Sequence, residues 1–172
     1  MLKQLGEESR MKITVYHGAT EIVKAPLCKI GRPRLDFGQG FYVTDLKEQA
    51  INWAQTLADK RNEKPLLNIY QLDKDAILAE ARSKIFTAYD KDWLDFIVGN
   101  RQGKNLAKDY DYVEGGIAND RVIDTVKLYI GGIMDEISTL RQLAFHKPNN
   151  QICLLNQELT NKYLEYVRTD SI

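Results

Sequence analysis

Short segments with the composition of β-strands alternate irregularly with helical segments along this chain. β-branched and aromatic residues, bounded by glycine or proline, occur in "KITVYHG", "GFYVT", "PLLNIYQLD" and "NQICLL". A regular strand–helix–strand rhythm, which would predict a doubly wound parallel sheet, is missing. The sequence therefore predicts an α+β fold.

One helix is predicted directly after "GFYVT". Asp45 stands where a helix N-cap is expected, and apolar side chains then recur at helical spacing. The predicted apolar stripe consists of Leu46, Ala50, Trp53, Ala54 and Leu57.

Weaker patterns predict the remaining elements. "AILAEAR" and "DKDWLDFIVGN" predict short helices on either side of "KIFTAY", and "DYDYVEGGIAND" predicts a buried strand ending in a glycine turn. "RVIDTVKLYIGG" and "IMDEISTLRQLAF" predict two helices divided by Gly131 and Gly132. "QELTNKYLEYV" fits either a closing helix or a turn with an edge strand. Residues 19–36 predict a long loop, and such loops are often functional.

A length of 172 residues predicts one domain with a core of its own. We assign residues 11–172 to this domain and residues 1–10 to an N-terminal tail, because Met11 directly precedes the first predicted strand. The chain has 24 basic and 24 acidic residues, so an overall positive field that attracts nucleic acid or an anionic membrane is excluded. A balanced total charge does not exclude a local basic patch.

The two cysteines, Cys28 and Cys153, form neither a disulfide framework nor a metal-ligand pattern. Reduced thiols, together with the lack of a signal-peptide core and of a bilayer-spanning run, predict a cytoplasmic protein without membrane contact. His146 lies far from any regular metal spacing, and no metal site is predicted.

Several residues attract attention, although each has an ordinary structural explanation when taken alone. Gly38 and Gly40 lack the third glycine of a dinucleotide fingerprint and fit a bulge before a strand. His17, at the end of a strand, fits a partly buried structural histidine. Tyr42 and Trp53 fit core aromatics. Glu114 and Asp120 form either an acid pair or solvated strand-end residues.

In order and spacing, these residues resemble the ADP-ribosyltransferase superfamily, specifically its diphtheria toxin and poly(ADP-ribose) polymerase branch. In that branch a His-Gly pair ends the first core strand, as it does in "VYHG". A second motif runs glycine, any residue, glycine, an apolar residue and tyrosine, then a helix with an aromatic residue eleven positions after the tyrosine. "GQGFYVTDLKEQAINW" matches it with Gly38, Gly40, Tyr42 and Trp53.

A third motif of the branch, an acid that opens a late strand, resembles "NNQICLLNQELTNKYLEYV". The resemblance spans residues 12–167, and the pattern is most similar to a bacterial domain family of unassigned function in this superfamily. It implies a split, curved, mostly antiparallel β core flanked by helices, with NAD as substrate and no metal.

The resemblance also implies roles for single residues. His17 would hydrogen-bond an NAD ribose hydroxyl, and the Gly18 backbone would hold the nicotinamide carboxamide. Tyr42 and Trp53 would enclose the nicotinamide ring between their faces. Glycine allows a close approach of backbone to ligand, which suits Gly38 and Gly40. Asp45 and Asn52 also match polymerase positions, whereas Ala19 and Ala50 replace hydroxyl residues.

Gln151 stands where the branch carries its catalytic glutamate, and an amide cannot accept a proton or supply negative charge. Three explanations are open. The acceptor is a nucleophile that needs little deprotonation, such as a nucleobase nitrogen. Alternatively, Glu114 or Asp120 serves as the base. The third explanation is that the protein is a weak or inactive enzyme that binds NAD or ADP-ribose without transfer, or that a natural glutamate at position 151 was deliberately replaced.

The resemblance therefore predicts transfer of ADP-ribose from NAD to an unidentified nucleic acid or protein. Target choice is expected in residues 24–37 and 111–121. Arg32 and Arg34 either meet the NAD pyrophosphate or a nucleic-acid phosphate, or are solvated loop cations. A bacterial toxin or phage-defence effector with an antitoxin partner is the expected context. An inactive binding module and an NAD glycohydrolase are the alternatives.

Overall fold

Seven β-strands and six α-helices form within residues 11–172, the part of the chain that the computed structural model describes. The predicted tail, residues 1–10, lies outside the described residues. The strands are β1 (Lys12–Ala19), β2 (Phe41–Val43), β3 (Leu66–Asp73), β4 (Ser83–Ile85), β5 (Tyr112–Gly115), β6 (Gln151–Leu154) and β7 (Leu164–Ser171). The helices are α1 (Lys47–Arg61), α2 (Lys74–Glu80), α3 (Lys91–Arg101), α4 (Asp120–Ile130), α5 (Glu136–Leu143) and α6 (Gln157–Tyr163), with a short 3-10 helix at Leu106–Asp109.

The strands form two sheets, ordered β1-β3-β7 and β2-β6-β5-β4. All neighbours are antiparallel except β4 and β5, which run parallel. The sheets meet where Tyr16 and Thr44 exchange two backbone hydrogen bonds of 2.8 and 2.9 Å. We call this junction the β1–β2 seam. The predicted α+β class and the predicted split of the β core are both present.

One face of the joined sheets, called the inner face, packs on α2 and α6. Its apolar cluster contains Val15 of β1, Phe41 of β2 and Ile152 of β6, together with Ile77 of α2 and Leu159 of α6. Successive strand residues point to opposite faces, so every second residue of these strands enters this cluster.

The opposite face, called the outer face, is covered by two groups of helices. Helix α1 packs Ala50 against Leu67 and Ile69 of β3. Helices α3, α4 and α5 pack on the second sheet around Val113 and Cys153. The seam therefore lies between the part of the outer face under α1 and the part under α3–α5.

The loop between β1 and β2 is anchored along its length. Asn68, fully buried in β3, accepts from the Val23 N–H and donates to the Glu21 carbonyl, both at 3.0 Å. The Cys28 N–H donates to the Gln157 side chain of α6 at 2.9 Å. Such paired backbone groups give this long connection a defined course.

Most of the predicted elements are confirmed. The strands "KITVYHG", "GFYVT", "PLLNIYQLD" and "NQICLL", the helices around "KIFTAY" and the helix pair divided by Gly131 and Gly132 are all present. The final segment contains both alternatives, because α6 runs directly into β7, an edge strand. Cys28 and Cys153 are free, buried thiols.

The predicted N-cap of α1 is wrong, and its predicted apolar stripe is only partly confirmed. Leu46, not Asp45, occupies the N-cap position, and its side chain makes no capping bond. The Asp45 carboxylate instead accepts from Asn150 at 2.9 Å. Ala50 and Ala54 of the predicted stripe are buried, together with Ala58, and Leu57 is half-buried. Leu46 and Trp53 are 43% and 54% exposed, because α1 approaches the sheet too closely for large side chains beneath it.

Candidate functional site

In the part of the chain that the structure describes, the two edges of the seam are hydrogen-bonded at Tyr16 and are not hydrogen-bonded beyond it, which leaves an opening there. Within residues 11–172, backbone hydrogen bonds join β1 to β2 at Tyr16 and Thr44 alone. In an antiparallel ladder, alternate residues point their N–H and C=O groups to the same neighbouring strand. Gly18 therefore directs its N–H and C=O toward β2, where no strand residue pairs with them. This leaves one donor and one acceptor side by side in the opening.

Gly18 is required at this position because α1 lies directly over it. A Cβ atom there would be 2.1 Å from the Ala50 carbonyl oxygen and 3.0 Å from the Ala54 amide nitrogen. Only glycine permits such a backbone contact. Trp53 directly precedes Ala54, so the contact brings this turn of α1 beside the opening.

Three predicted site residues share the outer face, as the strand registers show. Tyr16 lies opposite Thr44, so both side chains are on one face, and Tyr42 follows Thr44 by strand alternation. Cys153 is the partner of Tyr42 in β6, and Gln151 lies two residues before it. Gly18 follows Tyr16 by two residues in β1 and therefore belongs to the same face. Gly18, Tyr42 and Gln151 therefore lie on the outer face, with Gly18 under α1 and Tyr42 packed against the apolar cluster under α3–α5.

His17 lies in the seam itself. Its Nδ1 atom is 2.7 Å from the carbonyl oxygen of Tyr42, and its ring centroid is 4.5 Å from that of Phe41. Burial lowers the pKa of His17 below its ordinary value of 6.5. The imidazole is thus a neutral ring that spans the gap between the two strands from the inner side.

Tyr42 is half-buried and held at both ends. Its phenol donates to the Gly38 carbonyl at 2.6 Å and accepts from the Phe37 N–H at 3.2 Å. Burial raises the pKa of the phenol far above its usual range, so the hydroxyl stays protonated. The ring orientation is therefore fixed by the residues of the glycine motif.

The two glycines of that motif are explained by packing. Gly38 has φ +88°, and a Cβ there would be 2.4 Å from the Ala107 Cβ atom. A Cβ at Gly40 would be 2.5 Å from the Cys153 sulfur. These contacts let the segment before β2 lie against β6, and they fix where β2, the strand of Tyr42, begins. The predicted approach of Gly38 and Gly40 to a ligand stays a prediction.

Trp53 and Asn52 lie on the exposed surface of α1. The Trp53 indole is 54% exposed, and among residues 11–172 no aromatic ring stacks on it. The backbone carbonyl of Asn52 accepts a hydrogen bond from the Thr56 hydroxyl at 3.0 Å, and the Asn52 side chain is exposed. A large exposed aromatic surface beside an open seam is available for stacking.

Gln151 opens β6 next to a fixed backbone turn. The carbonyl of the preceding Asn150 accepts from Thr44 Oγ1 at 2.7 Å and from Gln49 Nε2 at 3.0 Å. The Gln151 amide itself has no hydrogen-bond partner among residues 11–172. Its strand position is thus fixed while its side chain is free to bind.

Glu114 lies on the inner face, because its partner in β6 is Ile152. Its carboxylate binds Lys74 at 2.9 Å, the Tyr112 hydroxyl at 2.7 Å and the Asn150 amide at 3.2 Å. These bonds satisfy a carboxylate that is only 7% exposed. The structure does not bring Glu114 to the face of Tyr42 and Gln151.

Two further predicted residues lie apart from the seam. Asp120 is the first residue of α4 and is exposed, after an N-cap at Asn119. Arg34 is exposed in the β1–β2 loop and lines a groove that contains none of His17, Tyr42 and Trp53.

Two residues that were not predicted from the sequence also shape the region. Gln49 has a buried side-chain oxygen without a hydrogen-bond partner in the described part of the chain, next to the turn at Asn150. Asp36 binds Arg101 at 2.5 Å and accepts from the Ala118 N–H at 3.1 Å. Helical spacing alone places Gln49 on the edge of α1, whereas no local signal marks the contacts of Asp36.

Fold and seam together define a single α+β domain with two sheets joined at one edge. The chain belongs to the DUF3990 family of proteins of unknown function, whose family model matches residues 13–166. Comparisons with curated proteins and with solved structures gave no significant match. No helix in the described residues is both long and apolar enough to cross a membrane. Residues 11–172 contain no group of three His, Cys, Asp or Glu side chains suited to a metal ion.

Proposed function

We propose that this protein uses NAD as a substrate and transfers its ADP-ribose group to a macromolecular acceptor, a nucleic acid or a protein. The observation that carries the proposal is the opening of the β1–β2 seam at Gly18. A paired N–H and C=O there match the acceptor and donor of a carboxamide such as that of nicotinamide. The sequence resemblance to ADP-ribosyltransferases assigns this same glycine to that contact.

Aromatic side chains near the opening support binding of a flat, cationic ring. Tyr42 lies on the same face as Gly18, and Trp53 is on the helix turn that covers Gly18. An electron-rich ring face attracts a positively charged ring such as oxidised nicotinamide. His17, neutral and with Nδ1 bound to a carbonyl, offers Nε2 as an acceptor for a ribose hydroxyl.

The reaction that we propose breaks the bond between C1′ of the ribose and the nicotinamide nitrogen. The bonding electrons leave with nicotinamide, which becomes neutral, and a lone pair of the acceptor forms the new bond to C1′. The acceptor then loses its proton to solvent or to a base. Gln151 would hold a ribose hydroxyl and orient the electron-poor centre, without taking the proton.

A binding module without transfer is the second candidate, and Gln151 favours it. The inner-face position of Glu114, with its three hydrogen-bond partners, leaves no carboxylate of β5 or β6 beside Gln151. A positioned base contributes about 10²–10⁴ to a rate, so a site without one turns over slowly. NAD hydrolysis by water is a third outcome of the same site.

Labelled NAD distinguishes these functions. The purified protein is incubated with it, alone and with a cell extract, and nicotinamide release and the fate of the label are followed. Label in protein or nucleic acid supports transfer, and free ADP-ribose supports hydrolysis. NAD binding without nicotinamide release supports the binding module. Absence of NAD binding contradicts all three.

Two variants link any activity to the seam. His17→Ala and Tyr42→Ala should each abolish nicotinamide release, while His146→Ala, a change at the other histidine of the chain, should not. Thermal unfolding of each variant shows whether the fold is kept. Full activity in folded His17→Ala and Tyr42→Ala would place the reaction elsewhere.

A further inference from the structure

A groove of about 750 Å³ lies away from the open seam, at the end of β6 opposite Gln151. It is bounded by the β1–β2 loop, by the turn and 3-10 helix after α3, and by the segment between β6 and α6. Its volume falls in the range of small-molecule sites, about 300–1,000 Å³. Of the predicted site residues, only Gly38 and Arg34 line it.

Arg34 is held in place at the groove without a bound acid. Its backbone has φ +62°, a left-handed conformation that non-glycine residues seldom adopt. Its guanidinium lies on Gly103, where an added Cβ atom would be 3.1 Å from Nε and 3.3 Å from Cζ. No hydrogen bond or ion pair joins this guanidinium to another described residue. Residues in sparsely populated backbone conformations cluster at active sites and ligand clamps.

Two lysines add positive charge to the same groove. Lys29 and Lys108 line it, are exposed and form no ion pair within residues 11–172. Two acids line the groove. Asp111 binds Arg82 at 3.0 Å, whereas Glu158 forms no ion pair with any residue that the structure describes. The free charges therefore sum to three positive against one negative.

The loop that carries Lys29 and Arg34 is fixed before any ligand arrives. Gln39 donates to the carbonyls of Lys29 and Gly31 at 2.9 and 2.6 Å, which holds the loop in a closed turn. Asp36 ties its other end to Arg101 and Ala118. A fixed loop loses little conformational entropy when a ligand binds.

An aromatic side chain completes the groove. Tyr110 lines it and is half-buried, with its ring packed edge-on against Phe96 at a centroid distance of 6.0 Å. Nucleic-acid bases stack on such rings, while guanidinium and ammonium groups bind the phosphates between them.

We propose that this groove is a binding site for nucleotide phosphates, in which Arg34, Lys29 and Lys108 hold the phosphate charge and Tyr110 offers a stacking surface. The ligand is either a free nucleotide or a stretch of single-stranded nucleic acid, since both present the same phosphates and bases. The site is distinct from the nicotinamide contacts at the seam. It does not depend on ADP-ribosyl transfer, because binding is measured without NAD.

The test measures binding of two probes to the full chain at low salt. One is AMP, followed by calorimetry, and the other is a labelled ten-residue oligothymidylate, followed by fluorescence anisotropy. Arg34→Gln should weaken binding of the bound probe about tenfold, because it removes a charge-assisted hydrogen bond. For the oligonucleotide, loss of one phosphate contact should also lower the salt dependence, with a slope reduced by about 0.7.

Arg32→Gln is the matched control. Arg32 lies two residues earlier in the same loop and is exposed, but it does not line the groove. It should change the affinity less than about twofold. Lys108→Gln, in the 3-10 helix that lines the groove, should weaken binding as Arg34→Gln does, and it avoids any change in the strained loop.

Each outcome decides the proposal. Tight AMP binding that depends on Arg34 identifies a free nucleotide as the source, and binding of the oligonucleotide alone identifies nucleic acid. Failure of both probes to bind overturns the proposal, as does unchanged affinity in Arg34→Gln and Lys108→Gln. An equal loss in Arg32→Gln would show a diffuse basic surface instead of a site. Loss of NAD binding in Arg34→Gln would show that the groove and the seam belong to one NAD site, which would refute the claim of a separate site.

Discussion

The Nδ1 atom of His17 lies 2.7 Å from the carbonyl oxygen of Tyr42, across the seam between β1 and β2. A carbonyl oxygen only accepts hydrogen bonds, so the proton of the neutral imidazole is on Nδ1 and the lone pair is on Nε2. Burial of the ring lowers its pKa and favours this neutral form. The same bond fills the gap that the diverging strands would otherwise leave between their backbones.

His17 should make stability depend on pH below its ordinary pKa of 6.5. In the unfolded chain the histidine gains a proton near that value, whereas in the folded chain it does so only at lower pH. Between these two pKa values the free energy of unfolding falls as pH falls, by up to about 1.4 kcal/mol per pH unit. Above 6.5 this contribution is fully present.

Urea unfolding of His17→Asn and the wild type, at several values from about pH 7 to about pH 5, measures this effect. The asparagine amide can still donate to the Tyr42 carbonyl but does not titrate, so the part of the slope due to His17 should disappear. His146→Asn should keep it. An unchanged slope in His17→Asn would show that other groups cause the acid sensitivity.

Gly18→Ala should separate α1 from β1. The added methyl group would meet the Ala50 carbonyl oxygen at 2.1 Å, and backbone atoms on both sides cannot move aside cheaply. We expect a loss of about 3 kcal/mol in the free energy of unfolding, as for overpacked cores. Gly132→Ala is the control, because no atom lies within 4 Å of its added methyl and only its φ of +72° is unfavourable. That variant should lose about 1 kcal/mol, and equal losses would contradict the close contact.

The sequence predicted most elements of this fold because their signals are local. β-branched runs that end at glycine or proline gave the strands, and divisions such as Gly131–Gly132 gave the helix ends. The cap of α1 could not be predicted in the same way. Asp45 has the right composition for an N-cap, but its carboxylate bonds to Asn150, which is distant in sequence and joined to it only by the pairing of β2 with β6.

Placement of the candidate site depends on strand register, which a single sequence does not specify. The glycine motif around Tyr42 and the His-Gly pair were both recognisable as sequence motifs. Only the pairing of Tyr42 with Cys153 places Gln151 on the same face, and only the pairing of Glu114 with Ile152 places that acid on the other. The basic groove could not be predicted either, because three segments that are distant in the chain form it.

Trp53→Ala should weaken NAD binding without unfolding the protein. Stacking of a base-like ring on an aromatic side chain contributes about 1–3 kcal/mol, so the dissociation constant should rise about tenfold or more. The indole is 54% exposed, and its removal should cost less than about 1 kcal/mol of stability. Ile85→Ala, at an apolar residue that is 49% exposed on β4, the strand of the second sheet farthest from the seam, should leave NAD binding unchanged. Equal affinity in wild type and Trp53→Ala would exclude the indole from the site.

Asp36→Ala should destabilise the fold more than the loss of a surface ion pair does. Asp36 is 8% exposed and joins the β1–β2 loop to α3 and to the segment after β5. Its removal leaves Arg101 and the Ala118 N–H without this acceptor, and we expect a loss of about 2–3 kcal/mol. Asp95→Ala breaks an exposed pair with Lys91, which water screens, and should change the free energy of unfolding far less. Similar losses in denaturant unfolding would show that the loop is not anchored through Asp36.

Gln151→Glu tests whether the proposed site lacks only a base. A carboxylate at this position can stabilise the electron-poor ribose centre and accept a proton, so nicotinamide release should rise by about 10²–10⁴. Gln151→Ala should lose whatever activity the amide supports. Glu114→Gln, on the opposite face of the sheet, should keep the wild-type rate once the variant is shown to be folded. If Glu114→Gln is inactive and Gln151→Glu gains nothing, the base acts from the inner face and the outer-face site proposed for Gln151 is wrong.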